Sequence, residues 1–150
     1  MDAVTYPNSS VVEFVEENVV PLRLSFDVKP ESDDFKVKWT PTLIVLDAEG
    51  EEHHRTTGFL GPEELMPMIM LGIGKARFDS EVFSEALESL NRLLAQYPKS
   101  DSAPEAIYYR GVSGYKHSHD AGPLKEAYEK LQSEYPSSEW AKRAAPYRLL

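Results

Sequence analysis

The chain of 150 residues contains no cysteine, which excludes disulfides, thiolate metal ligands and cysteine nucleophiles whatever its fold. Cations are also scarce, with 16 Lys and Arg against 25 Asp and Glu and a formal charge of −9. A surface that tracks phosphates needs clustered Lys and Arg to displace counterions, so no nucleic acid partner is expected. No apolar run approaches the roughly 20 residues of a membrane span, and the start lacks the charged and apolar regions of a signal peptide. The expectation is therefore no membrane association and a cytoplasmic location. No Gly-rich phosphate loop, serine elbow or metalloprotease pair occurs, and no cofactor is expected.

What is present suffices for a folded body. The apolar fraction is 41% and the aromatic fraction 11%, which is ordinary globular composition and far above that of disordered chains. The length suits one domain or two small abutting ones. Acid is unevenly placed. Residues 1–78 carry 14 Asp and Glu against 7 Lys and Arg, a balance of −7, whereas residues 79–150 carry 11 against 9, a balance of −2.

Along the first half, Ser10-Val11-Val12-Glu13 has capping-box spacing and predicts a helix to about Asn18. Val20, Leu22, Leu24 and Phe26 alternate with Pro21, Arg23 and Ser25, which predicts a half-buried strand. Asp33, Asp34, Phe35 and Val37 suggest one helical turn before Trp39. Thr42 to Leu46 is a continuous apolar run and reads as a buried strand. Asp47 to Gly50 supplies turn chemistry, and the polar stretch Glu52 to Thr57 reads as the outer strand of a hairpin that ends at Gly58. Pro62 with Glu63 and Glu64 marks a helix start. The run Leu65 to Ile73 that follows is apolar on nearly every side, so it needs cover on both flanks. Pro67 should kink it.

From Phe78 onward only helical patterns occur, and two stretches match when slid by 38 positions, Tyr97 onto Tyr135. Leu93 then meets Leu131, and Ala103, Ala106 and Tyr109 meet Ala141, Ala144 and Tyr147. Such self-similarity marks stacked helical hairpins, each too small to bury its own apolar face. The segment resembles tetratricopeptide (TPR) repeats: Gly74, Phe78, Phe83, Ala86, Leu90 and Pro98 fall at that family's spacings. The Tyr-Pro-x-Ser ending followed by Ala-x-x-Ala is similar to a variant common in bacterial cell-envelope repeat proteins. The second repeat departs from the pattern through Gly122-Pro123, through Leu124 in place of alanine, and through a longer loop from Lys116 to Ala121. A helix is still expected from Pro123 to Glu134.

The first segment resembles the later part of a thioredoxin-like domain. Trp39-Thr40-Pro41-Thr42-Leu43 matches that family's cis-proline loop and buried strand, Asp47 to Gly50 its hairpin turn and Gly58 the glycine beyond. Met1 to Thr5 resembles the residues just after the family's Cys-x-x-Cys. The resemblance implies a missing central strand between Leu22–Phe26 and Thr42–Leu46. The fold class expected is thus α/β plus all-α: a partial thioredoxin-like α/β sheet over residues 1–62 followed by TPR-like helical hairpins over 63–150, with a helix at 62–77 shared between them.

Without a thiol this chain cannot attack a disulfide, because no other side chain substitutes for sulfur in that exchange. The resemblance leaves a peptide-facing loop, Trp39, Thr40 and Pro41, where an extended partner would pair by β-addition. A groove on the repeats is expected at Tyr108, Arg110 and Tyr115. The function expected is a noncatalytic protein-interaction module with a protein or peptide partner, and a homodimer through the exposed sheet edge is a further expectation. The alternative is the C-terminal part of a thioredoxin-family thiol-disulfide oxidoreductase whose Cys-x-x-Cys lies upstream of Met1. His53, His54, His117 and His119 read as solvated rather than metal-binding, because neighbours on a strand face opposite ways. Lys116 and His117 suit a helix end. Glu16-Glu17 and Asp33-Asp34 read as solvated faces, and Met66, Met68 and Met70 as core.

Overall fold

A computed structural model describes residues 1–150. In chain order its elements are α1 (Ser9–Asn18), α2 (Glu31–Asp34), β1 (Thr42–Leu46), β2 (Glu52–Thr57), α3 (Pro62–Asp79), α4 (Phe83–Gln96), α5 (Ala103–Ser118), α6 (Gly122–Glu134) and α7 (Glu139–Arg143), closed by a 3-10 turn at Ala145–Leu149. The class is mixed, a small antiparallel sheet with seven helices, as the α/β plus all-α expectation has it in outline.

Helix α3 organises the packing. Leu65 through Gly72 are all buried, and they share one core with Val11 and Phe14 of α1, Leu90 and Leu93 of α4 and Ala106 of α5. A helix with so little polar surface is stable in water only when neighbours cover it all round. Pro62 starts it and the acids Glu63 and Glu64 fill its first turn. The helix continues through Pro67, whose missing amide removes the one bond that would reach back to Glu63. Met66, Met68 and Met70 are core residues, as expected.

The hairpin forms where the apolar run and its turn predict it. Asp47 Oδ1 accepts from the amides of Glu49 and Glu51 at 3.0 and 2.8 Å, and Gly50 takes the left-handed conformation at φ 88°. Strands β1 and β2 pair with Thr42 opposite Thr57 and Val45 opposite His54. The hairpin seats on α3 through one close approach. A Cβ on Gly72 would stand 2.6 Å from Val45 Cγ2, so only glycine lets strand and helix meet at this distance.

Two expectations fail here. Residues 20–25 form no strand, and the sheet contains only β1 and β2. Leu22 is 79% exposed and Val20 96%. The alternation is real, but a strand needs a neighbour for its backbone groups and none stands beside this segment. The start of α1 also differs: Asn8, not Ser10, is the cap, and its side chain accepts from the amides of Ser10 and Val11.

The 38-residue register has a direct structural counterpart. Tyr97 and Tyr135 end α4 and α6 with nearly identical backbones, φ −131° and ψ 55° against φ −137° and ψ 50°. Leu93 and Leu131, Ala103 and Ala141, and Ala106 and Ala144 are all fully buried. Helix α6 covers the predicted span. The loop before it is shorter than expected, because α5 runs to Ser118 and His119 ends it in the left-handed region at φ 58°. Lys116 and His117 thus lie within its last turn, where their charge suits the helix dipole.

Gly72→Ala is expected to destabilise the chain by about 1–3 kcal/mol in urea unfolding, overpacking outweighing the helix propensity gained. Val45→Ala relieves the clash, so the double variant should lose less than the two single losses together. Additive losses would place the close approach elsewhere.

Candidate functional site

The Thr40–Pro41 peptide is cis, as the loop resemblance implies. Thr42 Oγ1 donates to the Trp39 carbonyl at 2.6 Å, and the Gly58 amide donates to the Pro41 carbonyl at 2.8 Å. The second bond defines the sheet's polarity. Bonded and non-bonded pairs alternate along an antiparallel ladder, so Pro41, Leu43 and Val45 aim their backbone groups at β2. Thr42, Ile44 and Leu46 therefore aim theirs away from it. No turn, loop or side-chain hydrogen bond engages these outward amides and carbonyls. The free edge carries no charged residue. Trp39, 70% exposed, and Phe59, 62% exposed, stand next to the Pro41–Gly58 pair at one end of it.

The opposite strand holds polar chemistry that sequence reasoning placed in solvent. Val45 faces His54 and Leu46 faces Glu52, so His53 is an extra residue in a β-bulge. The bulge cancels the alternation that would point the two histidines to opposite faces, and both reach α3. His53 Nδ1 lies 2.7 Å from Asp79 Oδ2 and Nε2 lies 2.9 Å from Asp47 Oδ2. One helical turn earlier, Lys75 Nζ donates to His54 Nδ1 at 3.3 Å and to Glu105 Oε1 at 2.7 Å. Burial and the Lys75 ammonium push the His54 pKa below the usual range, keeping that ring neutral. For His53 burial opposes the charge, yet bonds to Asp47 and Asp79 carry its pKa above the usual value. No group of three His, Asp or Glu side chains is placed to hold a metal. His117 and His119 are exposed.

The three residues expected to form a repeat groove do not converge. Tyr108 packs on Trp140 and Tyr147 with ring centroids 5.2 and 6.0 Å away, and its hydroxyl meets that of Tyr147 at 3.1 Å. It cements α5 to the C-terminal turn. Burial, then this hydroxyl contact, raises the Tyr147 pKa. Arg110, two residues on, lines a separate cleft of about 300 Å³ with Asn91, Gly111, Gly114 and Glu126, because two residues advance a helix by roughly 200°. Tyr115 is exposed.

What α5 does offer is Glu105 and Tyr109, which meet Lys75 of α3. The Lys75 ammonium lies 5.3 Å from the centre of the Tyr109 ring, and the Lys75 and Glu105 side chains are only 16% and 15% exposed. Sequence reasoning passed over this pair because its members lie 30 residues apart. The one available signal was a lone lysine just after the most apolar stretch of the chain. Glu64 closes the other end, accepting from the Asp101 amide at 3.0 Å. Burial raises its pKa.

Glu105→Gln is expected to cost about 1–3 kcal/mol, since it leaves the Lys75 charge buried beside a neutral imidazole. Lys75→Met with Glu105→Met should recover most of that loss; urea unfolding of the three variants decides, and an equal or larger loss in the double variant would show that the pair itself stabilises. No protein family, curated protein or solved structure matches the chain, so the reading of its function rests on this geometry.

Proposed function

We propose that this chain is a noncatalytic protein-interaction module that takes up an extended segment of a partner protein along β1, beside Trp39, Thr40 and Pro41. One observation carries the reading: the outward backbone groups of Thr42, Ile44 and Leu46 form an unpaired, uncharged strand edge. Proteins normally guard such an edge with lysine, proline or a covering element, because it is a template for another strand. Here the edge residues Thr42, Ile44 and Leu46 include neither lysine nor proline, and β1 meets no helix or strand besides β2 and α3. An added strand would pair with the edge, and its terminal side chains would meet Trp39 and Phe59. Without cysteine the site cannot exchange disulfides. The −7 balance of residues 1–78 favours a partner segment with basic flanks over a second copy of this chain, which brings the same negative charge.

A second reading, the C-terminal part of a thioredoxin-family oxidoreductase with its Cys-x-x-Cys upstream, is supported by the same free edge, which would take one more strand. Translation of the coding sequence ahead of Met1 tests it, and a strand followed by Cys-x-x-Cys in frame would favour it.

Ile44→Pro separates strand addition from other modes of binding. The Ile44 amide points away from β2, so proline there removes no bond of the hairpin but blocks an incoming strand. Peptides selected from a displayed library on the natural chain should bind the variant at least about tenfold more weakly, with an unchanged circular dichroism spectrum. Equal binding would overturn edge addition. Sedimentation of the natural chain alone reports whether a homodimer occupies the edge instead.

A further inference from the structure

The His53 contacts define a state of charge. A neutral imidazole has one donor and one acceptor nitrogen, whereas the imidazolium has two donors. Asp47 Oδ2 lies against one ring nitrogen and Asp79 Oδ2 against the other, at 2.9 and 2.7 Å. Two ionised carboxylates accept only. Without its second proton the ring would face one of them with a lone pair at hydrogen-bond distance, in a position where the His53 side chain is just 9% exposed. Asp79 is also the last residue of α3, where the helix dipole adds negative potential. The geometry thus requires the cation.

The three groups belong to three pieces of the chain. Asp47 begins the hairpin turn, where its Oδ1 already holds the Glu49 and Glu51 amides. His53 is the bulge of β2, and Asp79 ends α3. Of the other charges near the hairpin, Glu52 pairs with Arg55 and Lys75 with His54 and Glu105, while the Glu49 and Glu51 carboxylates of the turn are exposed. A hairpin of two strands has little stability of its own in water and depends on its support. Here that support is the seat of Val45 on Gly72, the His54–Lys75 contact and the His53 clamp.

We propose that His53 is a proton-operated latch that fastens the β1–β2 hairpin to the C-terminal end of α3 and releases it on deprotonation. The sign follows from the raised pKa in the folded chain: the stabilisation is fully present below the unfolded histidine value and is lost as pH rises through the folded one. Acid sufficient to protonate Asp47, whose bonds to His53 hold its carboxyl below the usual range, also opens it. Release need not unfold the helical half, because local opening draws only on local contacts. This inference stands whatever occupies the β1 edge.

The test uses the full chain. Nitrogen-detected NMR of the imidazoles should show both His53 ring nitrogens protonated at neutral pH, with a titration midpoint above that of free histidine. Asp79→Asn and Asp47→Asn keep the shape of each contact and should each lower the midpoint by roughly one unit, a tenfold change in proton affinity. Hydrogen exchange reads the release itself. The Leu43 and Val45 amides, bonded to β2, should accelerate severalfold beyond the intrinsic pH dependence as pH crosses that midpoint, while Ile107 and Leu131 follow the intrinsic rate. In His53→Gln the hairpin should exchange fast at every pH, with no step. A His53 midpoint at or below the free value overturns the proposal, as does a hairpin step that survives unchanged in both aspartate variants.

Discussion

The constraint on which the rest depends is the near absence of a polar face on α3. Leu65 to Gly72 are buried without interruption, and each buried side chain of this kind contributes about 1.5–3 kcal/mol only if it stays out of water. Four separate elements supply the cover: α1 through Val11 and Phe14, the hairpin through Leu43 and Val45, α4 through Leu90 and Leu93, and α5 through Ala106. None of these is large. The helical hairpins and the small sheet are therefore one cooperative structure built around a shared helix, and a change at Gly72 or Leu90 is felt on both sides of it.

The same helix sets where polarity is tolerated. Beyond Gly72 the apolar cover continues only on the side of α4 and α5, through Gly74 and Phe78, and the side that meets β2 carries Lys75 and Asp79. The two histidines of β2 meet these two residues in order, His54 on Lys75 and His53 on Asp79. Opposite partners shift the two pKa values in opposite directions, His54 lowered by burial and a neighbouring ammonium and His53 raised, against its burial, by two carboxylates. Adjacent residues of one type thus do different electrostatic work because a bulge turns both toward a helix that changes sign within one turn.

Much of the architecture was legible, and the reasons are physical. The apolar run of β1, its Asp-Ala-Glu-Gly turn and the polar β2 declare a hairpin through local chemistry. The 38-residue register of Tyr97 and Tyr135 declares equivalent helix ends, and the two tyrosines duly adopt the same backbone. Failures arose where the deciding partner is remote or missing. Val20 to Phe26 has the periodicity of a strand, but periodicity says which face a strand would bury and nothing of whether a neighbour exists. Tyr108 and Arg110 looked like one surface because they are near in sequence, yet the helix turns them to different neighbours. The His53 bulge is invisible locally, since the extra residue is defined only by the register across from β1.

Bonded and open backbone groups thus alternate along one short strand. Leu43 and Val45 spend their backbone bonds on β2 and their side chains on α3, which holds the hairpin in place. Thr42, Ile44 and Leu46 alternate with them by the geometry of the pleat, so their backbone groups cannot also serve β2. A strand anchored by every second residue leaves every other residue's amide and carbonyl open for bonding. That partition follows from the pleat alone, and it explains how five uncharged residues both fasten the hairpin to the helical body and leave one edge of the sheet unpaired.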